Sequence, residues 1–265
     1  MAEETMVPAG GVDLCVQAFG EPPAPAVLLI AGAASAMDWW DEEFCRRLAA
    51  GGRRVVRYDH RDTGRSTSFT PGAPPYTWSD LAADALALLD SLDMPRAHLV
   101  AFGLGGRLAQ ALAAAHPARV WSLTLIAPAA FAAWPDAEWG DRRVAVDRLV
   151  AEVQERAGPF QPDEPRLRRL AQRVFDRSVD MMSSQINHRI VFAEAPAQDG
   201  PVTVPTLVLN GTMDRFAAPP PPGARLVRLD GVGHEYPPQA VWPQVLGEIL
   251  RHTTAAATDR RTSLG

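Results

Sequence analysis

Apolar and polar residues follow two rhythms along the chain. "VDLCVQAFG" (Val12 to Gly20) alternates residue by residue, the pattern of an edge strand with one wet face. "AVLLIAG" (Ala26 to Gly32) is a continuous apolar run, expected of a strand buried on both faces. Further strands are predicted in "RRVVRYDHR", "AHLVAFG", "VWSLTLIAP", "VPTLVLNG" and "ARLVRLDGVGH". Between them the period lengthens to that of a helix. "WWDEEFCRRLAAGG" ends at glycine, and "TWSDLAADALALLDSLDM" is amphipathic with Ser79 in place for an N-cap. "GGRLAQALAAAHP" and "QAVWPQVLGEILRHT" complete this set.

Strands that alternate with helices predict an α/β fold, a mostly parallel sheet with helices on both faces. The alternation stops from about Phe131 to Pro201. There the chain is rich in arginine, acid and tryptophan, with helical spacing in "DRRVAVDRLVAEVQERAG" and "PRLRRLAQRVFDRSVDMM". Residues 131–200 are therefore read as an inserted helical cap, and residues 1–130 and 201–265 as the core. The polar tail "AAATDRRTSLG" is expected to be disordered.

The 265 residues, 47% hydrophobic and 22% charged, suit one large globular domain. A net charge of -5 argues against nucleic acid as a partner. The acidic "MAEETMVPAG" has no apolar core of a secretory signal, and no apolar run reaches membrane-spanning length. A cytoplasmic protein is expected, with Cys15 and Cys45 as buried thiols rather than a disulfide. All 26 basic residues are arginine. Without lysine there is no Schiff-base chemistry, so pyridoxal enzymes and lysine aldolases are excluded.

Three loops follow predicted strands and so share the C-terminal edge of the sheet, where open α/β folds place their sites. The first is the glycine-rich corner in "HLVAFGLGGRLAQAL", centred on Gly103. The second, "NGTMDRF", carries Asp214; the third, "DGVGHEYP", carries His234. The corner is not a dinucleotide fingerprint, because G-x-G-x-x-G needs glycine where Leu108 stands. A Walker loop fails for want of its lysine. "YDHRDTGRST" holds His60, Asp59 and Asp62, but no further cluster has metal-ligand spacing. It reads as a hydrogen-bonded loop, and neither a metal nor an organic cofactor is expected.

The order of corner, acid and histidine resembles the α/β-hydrolase superfamily. Within it, "VLLIAGAASAMDWWDEEFCRRLAAGGRRVVRYDHRDTGRST" and "YTWSDLAADALALLDSLDMPRAHLV" resemble small esterases of the aclacinomycin methylesterase type. The resemblance spans about Val7 to His252 and implies an α/β-hydrolase fold. It implies Asp214 as triad acid, His234 as triad base, and the backbone N–H groups of Ala33 and Leu104 as the oxyanion hole. The sequence departs at the family's G-x-S-x-G: Ala101 stands for its first glycine and Gly103 for the serine. Glycine enters the strained corner conformation at little cost but supplies no nucleophile. Ser35 is a weak substitute candidate on a loop.

Three readings stay open: an enzyme using the Asp214–His234 dyad as general base for water attack or proton transfer, a serine esterase whose nucleophile was exchanged for glycine, and a silent binding protein. Apolar bulk near the sheet edge points to a sizeable apolar or aromatic small molecule, and the resemblance to esterases that tailor polyketides implies a polyketide-like one. Candidate substrate contacts are Trp39, Phe102, Phe131 and Met182, with His188 as a polar contact from the cap. "AAPPPPGAR" forbids the helix that the family places between acid and histidine. That leaves a more open cleft, or an edge for a homodimer.

Overall fold

The computed structural model of the chain describes residues 3–129, 137–160, 163–196 and 200–262, the last six by backbone alone. Strands β1 (Glu4–Ala9), β2 (Val12–Phe19), β3 (Ala26–Ile30), β4 (Arg54–Tyr58), β5 (Ala97–Phe102), β6 (Val120–Ile126), β7 (Thr206–Gly211) and β8 (Arg225–Leu229) form one sheet. Its order is β1-β2-β4-β3-β5-β6-β7-β8. The pairs β1/β2 and β2/β4 are antiparallel, and all later neighbours are parallel. Among the described residues seven α-helices follow the same numbering: α1 (Glu42–Ala50), α2 (Trp78–Ser91), α3 (Gly105–Ala115), α4 (Arg142–Arg156), α5 (Glu164–Arg177), α6 (Met181–Ala193) and α7 (Trp242–Thr262). None is long and apolar enough to cross a membrane among the described residues.

The continuous run in β3 is explained by two covered faces. Leu28 and Ile30 join a cluster with Leu88 of α2 and Leu108 of α3. Val27 and Leu29 join another with Phe44 and Leu48 of α1 and Val245 and Ile249 of α7. Successive side chains go to opposite layers, so every position is apolar. The α/β reading thus holds, as a mostly parallel sheet with helices on both sides.

Four local expectations change. β2 is not the edge strand, because β1 pairs outside it through a Gly10-Gly11 turn with φ of +59° and +83°. β1 hides in the sequence because only Val7 and Ala9 are buried and Pro8 interrupts it; an edge strand tolerates both features. Thr77, not Ser79, caps α2: its hydroxyl accepts from Asp80 N, and the Asp80 carboxylate accepts from Thr77 N at 2.7 Å. A capping box needs an acid or amide three residues on, which Thr77 has and Ser79 lacks.

The run that reads as one helix through "VDMM" breaks at Ser178, and α6 starts afresh with Asp180 as N-cap, accepting from Met182 N at 2.8 Å. The tail is not wholly irregular, since α7 continues through Thr262.

Between β6 and β7 the chain leaves the sheet. α4 and α5 build a small core of their own around Val146, Leu149, Leu167 and Val174. α6 belongs to both layers: Met181 joins that core, while Val191 and Phe192 join the sheet's. Arg177, at the end of α5, pairs with Glu4, Asp38 and Asp59 and ties the insertion to three separate segments. Between β7 and β8, "AAPPPPGAR" forms turns and no helix, as its prolines require. Cys15 and Cys45 are free and buried.

Candidate active site

The corner between β5 and α3 is tight for two reasons. Gly103 has φ +53°, in the left-handed region that disfavours side chains. Gly105, the first residue of α3, lies against the end of β3; a Cβ there would sit 2.1 Å from the Ala31 carbonyl oxygen. Only glycine lets the start of α3 approach β3 this closely. The Leu104 N–H thus stands at a helix N-terminus, beside the loop that carries Ala33. Neither the Ala33 nor the Leu104 N–H has a protein acceptor among the described residues.

Asp214 and His234 meet as the order of the loops predicts. His234 Nδ1 lies 3.0 Å from Asp214 Oδ2 and 3.2 Å from Oδ1. The Asp214 side chain is fully buried, and its Oδ1 also accepts from Phe216 N at 2.8 Å. The contact orients Nδ1–H toward the acid and leaves Nε2 for the cleft. A Cβ at position 103 would lie 3.7 Å from His234 Nε2, with no other atom near it. The imidazole is flanked by the rings of Phe102 and Phe216, centroids 5.5 and 5.4 Å away. Its backbone is docked on the insertion: His234 N donates to Arg156 O at 2.8 Å.

These groups open into a cleft of about 910 Å³. Gly103, Leu104, Ala33, Trp39, Phe102 and His234 line it, so six of the predicted residues are brought together. Asp214 stands behind His234. Two predicted contacts are not there. Met182 is an exposed residue in the first turn of α6, near Gly140, and does not line the cleft. Of the neighbouring pair, it is Met181 that turns inward. His188 is completely buried, and its ring nitrogens bond to the Ala34 N–H and the Arg61 carbonyl, so it has no face toward substrate. Phe131 lies outside the described residues. Ser35 lines the cleft, but its hydroxyl donates to Ala33 O at 3.4 Å, and among the described residues no hydrogen bond joins it to His234.

The structure adds residues that the sequence reading passed over. Tyr236 stacks on Phe102 with centroids 3.9 Å apart, and its hydroxyl accepts from Gly32 N at 3.1 Å. Its place two residues after His234 was the available signal. Glu235 is buried beside the histidine, with Oε1 accepting from Gly158 N and Gly233 N at 3.0 and 3.2 Å. Burial raises its pKa against the pull of those two N–H groups. Glu152 also lines the cleft, and burial likewise raises its carboxyl despite Arg156 and Arg148 beside it. The two aspartates of "YDHRDTGRST" are hydrogen-bonded: Asp59 accepts from Met37 N and Arg65 N, and Asp62 from Phe69 N, Tyr76 and Asn187.

Residues 25–221 match the family model described as alpha/beta hydrolase fold. The chain is 32% identical to the rhodomycin D methylesterase DauP of Streptomyces sp. (strain C5), over 95% of this chain and 98% of that one. Identity to DnrP of Streptomyces peucetius, also a rhodomycin D methylesterase, is 32% over the same shares. Among solved structures it is similar to an enol-lactonase from Burkholderia xenovorans LB400, with a TM-score of 0.71 and 26% identity, covering 96% of this chain and 100% of that one. With that match over most of its length and esterases among its relatives, the chain belongs to the alpha/beta hydrolase fold family.

Proposed function

We propose that the protein is an ester-cleaving enzyme that works without a covalent serine. The observation that carries this is His234 Nε2, aimed at the empty space above Gly103, while its Nδ1 is held by a buried carboxylate. His234 acts as general base. Nε2 takes a proton from a water in that space, and the hydroxide oxygen attacks the ester carbonyl carbon. The carbonyl π pair moves onto oxygen, and the N–H groups of Ala33 and Leu104 stabilise the oxyanion. Collapse re-forms the carbonyl and expels the alkoxide, which recovers the proton from Nε2. Asp214 keeps the ring in the productive tautomer and stabilises its charged state.

The substrate class follows from the walls. Trp39, Phe102 and Tyr236 stack into an aromatic wall, and Glu152, Arg156 and Gln185 add polar groups to the lining. A sizeable aromatic methyl ester fits this lining and the methylesterase relatives.

The serine-to-glycine esterase remains the second reading, favoured by the open room at position 103. Turnover of an aromatic methyl ester, followed by mass spectrometry, decides between them: direct hydrolysis leaves the protein unmodified, whereas an esterase without its serine turns over nothing. Turnover with unmodified protein, and no adduct from a fluorophosphonate, is the expected result. A stoichiometric adduct at Ser35 would sink the proposal.

A further inference from the structure

The loop that carries Ala33 is held in a strained shape in part by two side chains that do not line the cleft, His188 and Ser184. Ala34 has φ +55°, a left-handed conformation that is strained for a non-glycine residue and persists only where the surroundings over-determine it. Helix α6 supplies that restraint from the far side. His188 Nδ1 accepts from Ala34 N at 2.8 Å, and Ser184 Oγ donates to Ala34 O at 3.3 Å. Residues 184 and 188 are one turn apart on the same helix face, so one rigid element grips both polar groups of a single residue.

The histidine's own state is set as well. Its Nε2 lies 2.8 Å from the Arg61 carbonyl, which can only accept, so Nε2 carries the proton and Nδ1 the lone pair. The ring is completely buried, between the rings of His60 and Phe192. On the other side of Ala33, Gly32 N donates to Tyr236 Oη at 3.1 Å. The peptide plane that holds the Ala33 N–H therefore lies between two pinned planes.

We propose that His188 and Ser184 are positioning residues through which the inserted helix α6 aims the Ala33 N–H into the cleft. This rests on the oxyanion role proposed above for that N–H. The sequence reading placed His188 at the substrate; the geometry makes it act one step behind, through the backbone.

The test compares the full-length protein with His188→Ala, His188→Asn and Ser184→Ala. Two readouts are taken: hydrogen exchange at the Ala34 amide, and kcat and KM for p-nitrophenyl butyrate. In His188→Ala the amide is expected to exchange at least about tenfold faster. In the same variant kcat should fall by about 10- to 1000-fold, the range for a displaced oxyanion donor, with KM within about threefold. His188→Asn keeps an acceptor near the Nδ1 position and should recover most of both. If His188→Ala does not fold, Ser184→Ala carries the test, with the same split at smaller size.

Unchanged Ala34 exchange in a folded His188→Ala, or no rescue by asparagine, overturns the clamp. Faster exchange with unchanged kcat overturns its link to catalysis, and with it the role of Ala33. A wild-type protein that turns over no ester defeats the proposed function, while the exchange arm still decides the clamp.

Discussion

The two sides of the cleft floor are built differently. On the dyad side, strand ends do the work: β7 delivers Asp214, β8 delivers His234, and the two meet at 3.0 Å. On the side of Ala33, proposed above to hold the oxyanion, a loop with a strained residue is held by His188, Ser184 and Tyr236, from α6 and from beyond β8. The first side is fixed by the sheet's register. The second depends on side chains borrowed from distant segments. Damage to the first should abolish chemistry directly, whereas damage to the second should act through geometry and stability.

The largest effect is expected at the dyad. His234→Ala should lower kcat/KM toward an activated ester by about 10²- to 10⁴-fold, the usual size of a general-base contribution. Asp214→Asn should cost somewhat less, since Nε2 survives but its tautomer is no longer enforced. Full activity in His234→Ala, read by steady-state kinetics, would place the chemistry elsewhere.

Next comes Gly103→Ser. The new Cβ would lie 3.7 Å from His234 Nε2 with nothing else in its way, so the hydroxyl falls within reach of the base. A burst of p-nitrophenol and a stoichiometric fluorophosphonate adduct at residue 103 are expected. The positive φ should lower stability by about 1–2 kcal/mol, visible in a thermal melt. No labelling would mean that the dyad side is not set for a nucleophile.

Acid should weaken the side that leans on buried histidines. Burial lowers the pKa of His188 to about 4 and of His60 to about 3; His60 Nε2 lies 3.2 Å from Ala31 O, in the same loop. Burial also holds His98 at about 3, where its Nδ1 bonds Ser122 Oγ. Each takes up its proton near 6.5 once unfolded. The unfolded chain then binds more protons than the native one between about pH 6.5 and pH 4, and stability falls as pH drops through that window. Melts from pH 7 to pH 4.5 should show a steady loss, smaller in a folded His188→Asn. The same slope in wild type and in a folded His188→Asn would show that this ring is not held neutral.

The smallest effects separate wall from surface. Trp39→Ala should raise KM for an aromatic ester by about tenfold, the order of a lost aromatic contact. Met182→Ala should leave KM within about twofold, because Met182 does not line the cleft.

Some of this was legible in the sequence, and its parts show why. β3 was readable because burial on both faces demands an unbroken apolar run, and β5 nearly so, with only His98 interrupting. β1 was not, since an edge strand with Pro8 needs little apolar content; the Gly10-Gly11 turn was its overlooked signal. Asp214 and His234 were legible by their place after strands. Tyr236 had only its place two residues after His234 to mark it, and no local pattern says that its hydroxyl meets Gly32 or that the Glu235 carboxylate meets Gly158.

By itself the sequence determined the α/β alternation, the departure of the chain from the sheet after β6, and the three loops at one sheet edge with glycine at the corner. Those features rest on short-range periodicity and chain order, which a one-dimensional pattern carries. Only the tertiary structure decided that His188 faces a backbone amide rather than the cleft, that Met181 turns inward and Met182 outward, and that α6 serves both layers. Such outcomes turn on which groups 100 or more residues apart come within about 3 Å, because a buried polar group must find its partner wherever packing puts one.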